Sequence, residues 1–232
     1  MARRDLRWQA GAGTALVPTA GASPVQVGTA GYADSGAAVT AAQVVTFTAA
    51  TAGNLLVVAG NSDATLTISG GGGGWTLADS AVANQGTYLW FKTAAGGETS
   101  VTLTPSVSDM VAGAVAEFTV VATLDVHTST NRSGSSAATV ATGTTGATAQ
   151  SVELVVVVAG PHSFSSTAIP ASPTWVTATS IASGGTAHPT LSGQNVALSL
   201  GFYVTGSTGT QSETCTFNNS SFDSGGVIAA FR

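Results

Sequence analysis

A chain of 232 residues is long enough to bury a substantial core in one large domain or two small ones. Charged residues make up only 7% and the net charge is −5, an acidic balance that argues against a nucleic-acid groove. The scarcity of Glu and Lys argues against solvated helices, and so weakly charged a surface suits a close-packed oligomer such as a trimer.

Residues 1–41 carry three of the six basic residues, Arg3, Arg4 and Arg7, with Trp8 beside them. No apolar run follows Arg7 to make a secretory signal, and no run approaches the ~18 apolar residues that cross a bilayer. Scattered Gly and Pro and few large apolar groups give the segment no core of its own. It reads as an extended docking arm, held on its own domain or on neighbouring subunits through Arg3, Arg4, Arg7 and Trp8.

From residue 42 the chain becomes a series of short strands separated by Gly, Ser, Asn and Pro. "QVVTFTA" alternates, "NLLVVAG" is continuously apolar, and "ATLTIS", "WTLADSAV", "TYLWFKTA", "TSVTLTP" and "MVAGAVAEFTV" follow. The second half offers "AATVATG", "VELVVVVAG", "PTWVTATSI", "NVALSLGFYVTG", "SETCTFN" and "GVIAAF". No window of helical length shows a 3.6 period, and the spacing of strands predicts an all-β sandwich. Val57–Gly60 lines up with Val157–Gly160, Trp75 with Trp175, 89–93 with 201–205, 98–103 with 212–217, and 113–118 with 226–231. The fold expected is therefore an all-β, antiparallel β-sandwich, jelly-roll-like, with two similar Greek-key halves (about 42–124 and 136–232) in a single domain at 42–232.

Reactive groups are sparse. Cys215, the only cysteine, lies in an alternating run and reads as a small buried apolar residue. His127, His162 and His188 show no ligand spacing, and no nucleophile elbow accompanies the serines near His162. Glu117 and Glu153 each interrupt an apolar strand but form no matched pair for glycoside hydrolysis, and Glu153 reads as an exposed residue where its strand begins. Asp63, Asp79, Asp109 and Asp223 fall at strand ends, where carboxylates can hold calcium, without a D-x-D-x-D-G pattern. The glycine run 69–75 leads into a strand and lacks the Lys-Ser/Thr step of a phosphate loop. The Asn131, Asn218 and Asn219 triplets match the glycosylation pattern as often as chance allows in so Ser-rich a chain. No catalytic residue, metal or cofactor is expected. Trp75 and Trp175 read as core, whereas Tyr88, Trp90 and Lys92 share one strand face and are the residues to expect at a ligand surface, by stacking on a glycan.

The pattern "GNLLVVAG…GGWTLADS…YLWFKTAAGGETSVTLT…AVAEF…GGVIAAFR", spanning roughly 42–232, resembles the jelly-roll-like module of virion proteins from phages and prophages of actinobacteria, often minor tail proteins. The resemblance implies a non-enzymatic structural virion protein, assembled in the bacterial host cytoplasm and mounted through its arm as a capsid-surface decoration or minor tail protein. Its partners would be other virion proteins and copies of itself, with no nucleic acid and no membrane insertion. A tail-associated binder of a host-surface glycan is the alternative, and a glycoside-degrading enzyme a remote one.

Overall fold

The computed structural model describes residues 23–35, 40–83, 86–119, 123–164, 173–187 and 195–232. The chain is all-β and antiparallel, and among the described residues there is no helix. The first half contributes β1 (Gln26–Asp34), β2 (Gln43–Thr46), β3 (Leu55–Ser62), β4 (Leu66–Gly70), β5 (Thr76–Val82), β6 (Gly86–Thr93), β7 (Ser100–Pro105) and β8 (Val111–Phe118). An inner sheet runs β1-β8-β3-β6-β5 and an outer sheet β2-β7-β4. Pairing of the first strand with the eighth, the second with the seventh and the third with the sixth is that of a long hairpin rolled up, the jelly-roll arrangement. Only β5 departs from it, lying beside β6 rather than β4.

The second half repeats this plan with β9 (Leu124–Arg132), β10 (Ala137–Ala147), β11 (Leu154–Phe164), β12 (Thr174–Trp175), β13 (Thr179–Ala187), β14 (Asn195–Val204) and β15 (Thr210–Phe231). The long β15 serves as two strands. Its first part pairs with β10 and β12, and its second part pairs with β11 and β9. The inner order is thus β9-β15-β11-β14-β13 and the outer one β10-β15-β12, strand for strand as in the first half. The halves expected as two parts of one roll are each a roll, stacked as outer, inner, inner and outer layers. Small side chains make this workable in so short a chain, because thin layers need little volume and the inner sheets share one core.

That shared core joins Leu55, Val57, Leu89, Phe91 and Phe118 of the first half to Val156, Val158, Leu198, Leu200 and Phe231 of the second. Its contacts are reciprocal. β1 packs on β13 and β5 on β9, β8 on β14 and β6 on β15, as an isologous dimer interface would require. The aromatic rings repeat the symmetry: Phe91 meets Phe231 edge-on with centroids 5.2 Å apart and planes at 63°, and Phe118 meets Phe202 at 5.1 Å and 59°.

The ladder registers give the true equivalences. Leu55 pairs with Phe118 and Thr93, and Leu154 with Phe231 and Val204. Leu55 therefore matches Leu154, Phe91 matches Phe202 and Phe118 matches Phe231. The identical letters at 57–60 and 157–160 are one residue out of step: Val57 faces the shared core, whereas Val157 faces the outer layer. A slip of one residue exchanges the faces of a strand, so letter identity alone misplaces this repeat. The tryptophans are likewise not equivalents. Trp175 lies in β12, and its ring overlies Gly201, the residue at Trp90's place. The first sandwich packs two indoles, Trp90 and the partly buried Trp75, and the second packs Trp175.

The sheet also begins earlier than residue 42. Gln26–Asp34, within the segment read as an arm, is an edge strand on β8. Main-chain ladder bonds need no large side chains, which is why composition did not reveal it. Arg3, Arg4, Arg7 and Trp8 lie outside the described residues.

Two glycines close the rolls. A Cβ on Gly31 would overlap the Thr46 carbonyl oxygen, and one on Gly226 would overlap that of Ala141. Both obstacles are backbone and cannot swing aside. Gly31→Ala or Gly226→Ala is expected to lower stability by about 1–3 kcal/mol in urea unfolding, while Gly206→Ala, with nothing within 4 Å of its added Cβ, leaves it unchanged within about 0.5 kcal/mol.

Candidate functional site

The face carrying Tyr88, Trp90 and Lys92 points inward. Parity placed these residues on one side of β6 correctly, but that side is roofed by the outer sheet, and the three are only 5%, 6% and 7% exposed. Tyr88 stacks on Trp90 with centroids 5.0 Å apart, inside a cluster with Val45, Val58, Leu103 and Val115. Lys92 Nζ sits 2.9 Å from Glu98 Oε1, donates to the Gly71 carbonyl and lies 5.3 Å from the centre of the Trp75 ring. Burial pushes the Glu98 carboxyl up, but the Ala95 and Gly96 amides and the Lys92 ammonium outweigh it and hold the group at about 2. The glycine run follows from this cluster: Gly70–Gly74 all have positive φ, letting the backbone curl over the lysine. The outer sheet and this glycine loop cover all three side chains.

The other carboxylates flagged in the sequence also hold the fold together. Glu117 Oε1 accepts from the Thr51 amide at 2.9 Å and from Asn54 Nδ2 at 2.6 Å, pinning the β2–β3 loop. Glu153 is buried rather than exposed; its Oε1 accepts from the Gln150 amide, and burial raises its pKa. Asp79 bridges His127 Nδ1 at 2.8 Å and Ser129 Oγ at 3.2 Å, tying β5 to β9. The serine hydroxyl donates to Asp79 and to the Ser80 carbonyl and not to the histidine, so this trio is no nucleophile–base pair. Cys215 is buried, and burial pushes its thiol up to about 12. His188 lies outside the described residues.

The concentration of polar groups that sequence reasoning missed is at one end of the seam between the halves. Asn61, wholly buried on β3, donates through Nδ2 to the Ala197 carbonyl at 2.8 Å and the Pro161 carbonyl at 3.3 Å, and accepts from Thr87 Oγ1 at 3.0 Å. Beside it His162 Nδ1, 1% exposed, lies 3.1 Å from Asp63 Oδ1 across the seam. Asp109 and Asp223 stand close enough to raise Asp63 electrostatically. Three of the four aspartates flagged as strand-end carboxylates are thus brought near one histidine, yet among the described residues no group of His, Cys, Asp or Glu is arranged to hold a metal ion. Asp109 accepts from the Met110 amide and the Ser62 hydroxyl, Asp223 from the Gly134 amide. Arg132, beyond Asp223, donates to the carbonyls of Ala137, Thr139 and Ser221. Only the long-range meeting of β3, β6, β11 and β15 assembles this cluster, and no local spacing announces it.

No family model, no curated protein and no solved structure matches the chain.

Asp63 and His162 are shifted in opposite directions. Burial, then Asp109 and Asp223, raise Asp63 to about 7; its stabilising contribution is complete below the ordinary carboxylate range and lost as pH rises towards 7. Burial lowers His162 to about 4 despite Asp223; its contribution is complete above about pH 6.5 and lost as pH falls towards 4. Between those limits the two slopes oppose, and the pair contributes little net pH dependence. Asp63→Asn should expose the histidine slope, with urea midpoints falling relative to wild type as pH drops from about 6.5 to 4.5. His162→Gln should expose the opposite slope, falling as pH rises from about 4.5 to 7. At the other cluster, Lys92→Met leaves the Glu98 carboxylate with only its Ala95 and Gly96 amides and is expected to cost about 1.5–3 kcal/mol in urea unfolding; adding Glu98→Leu is not expected to recover this, because those two amides then lose their acceptor.

Proposed function

We propose that the chain is a non-enzymatic structural protein of a bacteriophage virion, a rigid β-sandwich knob mounted on the particle as a capsid-surface decoration or minor tail protein. The observation that carries this reading is the use of the distinctive side chains. Tyr88, Trp90, Lys92, Glu98, Glu117, Asp79 and His162 each hold one strand or loop to another. What the two outer sheets present instead is hydroxyls and methyls, with Thr67, Thr102 and Thr104 on one and Thr139, Thr174 and Thr216 on the other. Uncharged, stiff sheet faces suit packing among neighbouring virion proteins or further copies of the chain. The resemblance of residues 42–232 to phage virion modules points the same way, and so does the basic segment with Arg3, Arg4, Arg7 and Trp8. The glycan-binding alternative loses its best candidate surface with the burial of Tyr88 and Trp90.

Gold-antibody labelling of intact phage particles from the source, viewed by electron microscopy, is expected to decorate them. Label over the head fits decoration and label at the tail a tail protein, whereas particles without label would overturn the reading. Deleting residues 1–22, which leaves β1 intact, is expected to abolish incorporation into particles.

A further inference from the structure

The two inner sheets have the same topology and meet about a local two-fold axis. This raises a question that symmetry alone leaves open: why should the first half pair with the second, and not with the first half of another copy? Near the axis the halves differ in shape. A Cβ on Gly160 would overlap Thr87 Oγ1 and come within 2.6 Å of Asn61 Cγ. One on Gly225 would overlap Thr87 Oγ1 and lie 3.0 Å from Ala81 Cβ. Gly160 and Gly225 are ladder partners, so they form one hollow in the second half. Neither has a positive φ; it is the space that requires glycine here. Asn61 and Thr87 are also ladder partners, and together they form one knob on the first half.

We propose that this knob and hollow determine which sheet each half accepts: the first half pairs with the second, in one register, and neither pairs with its like. The equivalences carry the argument. Asn61 stands at the place of Gly160, and Ala112 at the place of Gly225. If two first halves met about the same axis, Asn61 would confront Asn61 where one asparagine fits against a glycine. Thr87 would then meet the Ala112 methyl where the second half leaves room. If two second halves met, Gly160 would face Gly160, and Leu198, opposite Gly160 in the β11–β14 register as Thr87 is opposite Asn61, would stand against Gly225 where the smaller threonine now fits. The carbonyls of Pro161 and Ala197 would also lose the amide that now donates to both. A buried polar group with a single satisfied partnering is a known means of fixing register among otherwise similar apolar surfaces.

The test is a double-mutant cycle in the full chain, read as thermal midpoints. Gly225→Ala alone is expected to lower the midpoint by ~5–10 °C, because the new methyl collides with the short, branched Thr87. Thr87→Ala alone should lower it by a few degrees. The combined variant moves a methyl from one side of the seam to the other and should melt above Gly225→Ala alone. Losses that simply add, or exceed their sum, would overturn the fit of knob to hollow. The choice of partner is read from Asn61→Cys, purified without reductant. The introduced thiol would sit at the axis in any pairing of two first halves, and chains linked through it are expected on a non-reducing gel, absent from wild type. A folded Asn61→Cys protein that stays unlinked at high concentration would show that partner choice is set elsewhere. Should that variant not fold, the cycle decides, since each of its changes is no larger than one side-chain methyl and hydroxyl.

Discussion

Everything else in the molecule leans on the apolar contact between the two inner sheets. Each sheet is buried on both faces, so β3 and β11 can be continuous apolar runs, which an ordinary two-layer sandwich would not tolerate. The pairs Phe91–Phe231 and Phe118–Phe202 anchor the contact at two symmetric points, and Leu, Val and Ala fill the space between them. Because the contact is closed about a two-fold axis, the outer sheets face away from one another and the molecule presents two similar faces.

Against that apolar background the few polar groups are consequential. Desolvated carboxylates and amides are tolerated only with partners, and several here find theirs far away in sequence. Asn61 reaches carbonyls 100 and 136 residues distant, and Glu117 reaches back 66 residues to Thr51. Such contacts specify which loops and strands meet, and that is a different task from adding stability. The Lys92–Glu98 pair does the same inside the first roll, holding the glycine loop over Trp75. Among the described residues the charges are few and most are committed to internal contacts, which leaves the sandwich itself little for recognition through charge. This is the physical ground for reading it as a building block.

The individual strands and their all-β class were legible because period-2 alternation and β-branched runs are local properties of the chain. The existence of a repeat was legible too, from the order of similar strands. Its register was not. Gly60 and Gly160 carry the same letter, but ladder pairing sets Asn61 against Gly160's position. The ligand surface failed for a related reason: alternation fixed that Tyr88, Trp90 and Lys92 share a face, and nothing local fixes which layer that face meets. β1 escaped notice because its Gly, Ala and Thr make no apolar run; main-chain bonds to β8 hold it at the edge, and only Ala30 and Tyr32 of its side chains pack on the shared core.

By itself, then, the sequence determined the class of structure, the strand inventory and the near-absence of charge, since propensity, periodicity and composition need no long-range information. Only the tertiary structure decided that each half is a complete roll and that the halves join back to back about a two-fold axis. It alone brought Asp63, Asp109, Asp223 and His162 to one end of the seam. Those outcomes depend on which sheet faces pack, and packing is settled by the shapes of surfaces assembled from strands a hundred residues apart.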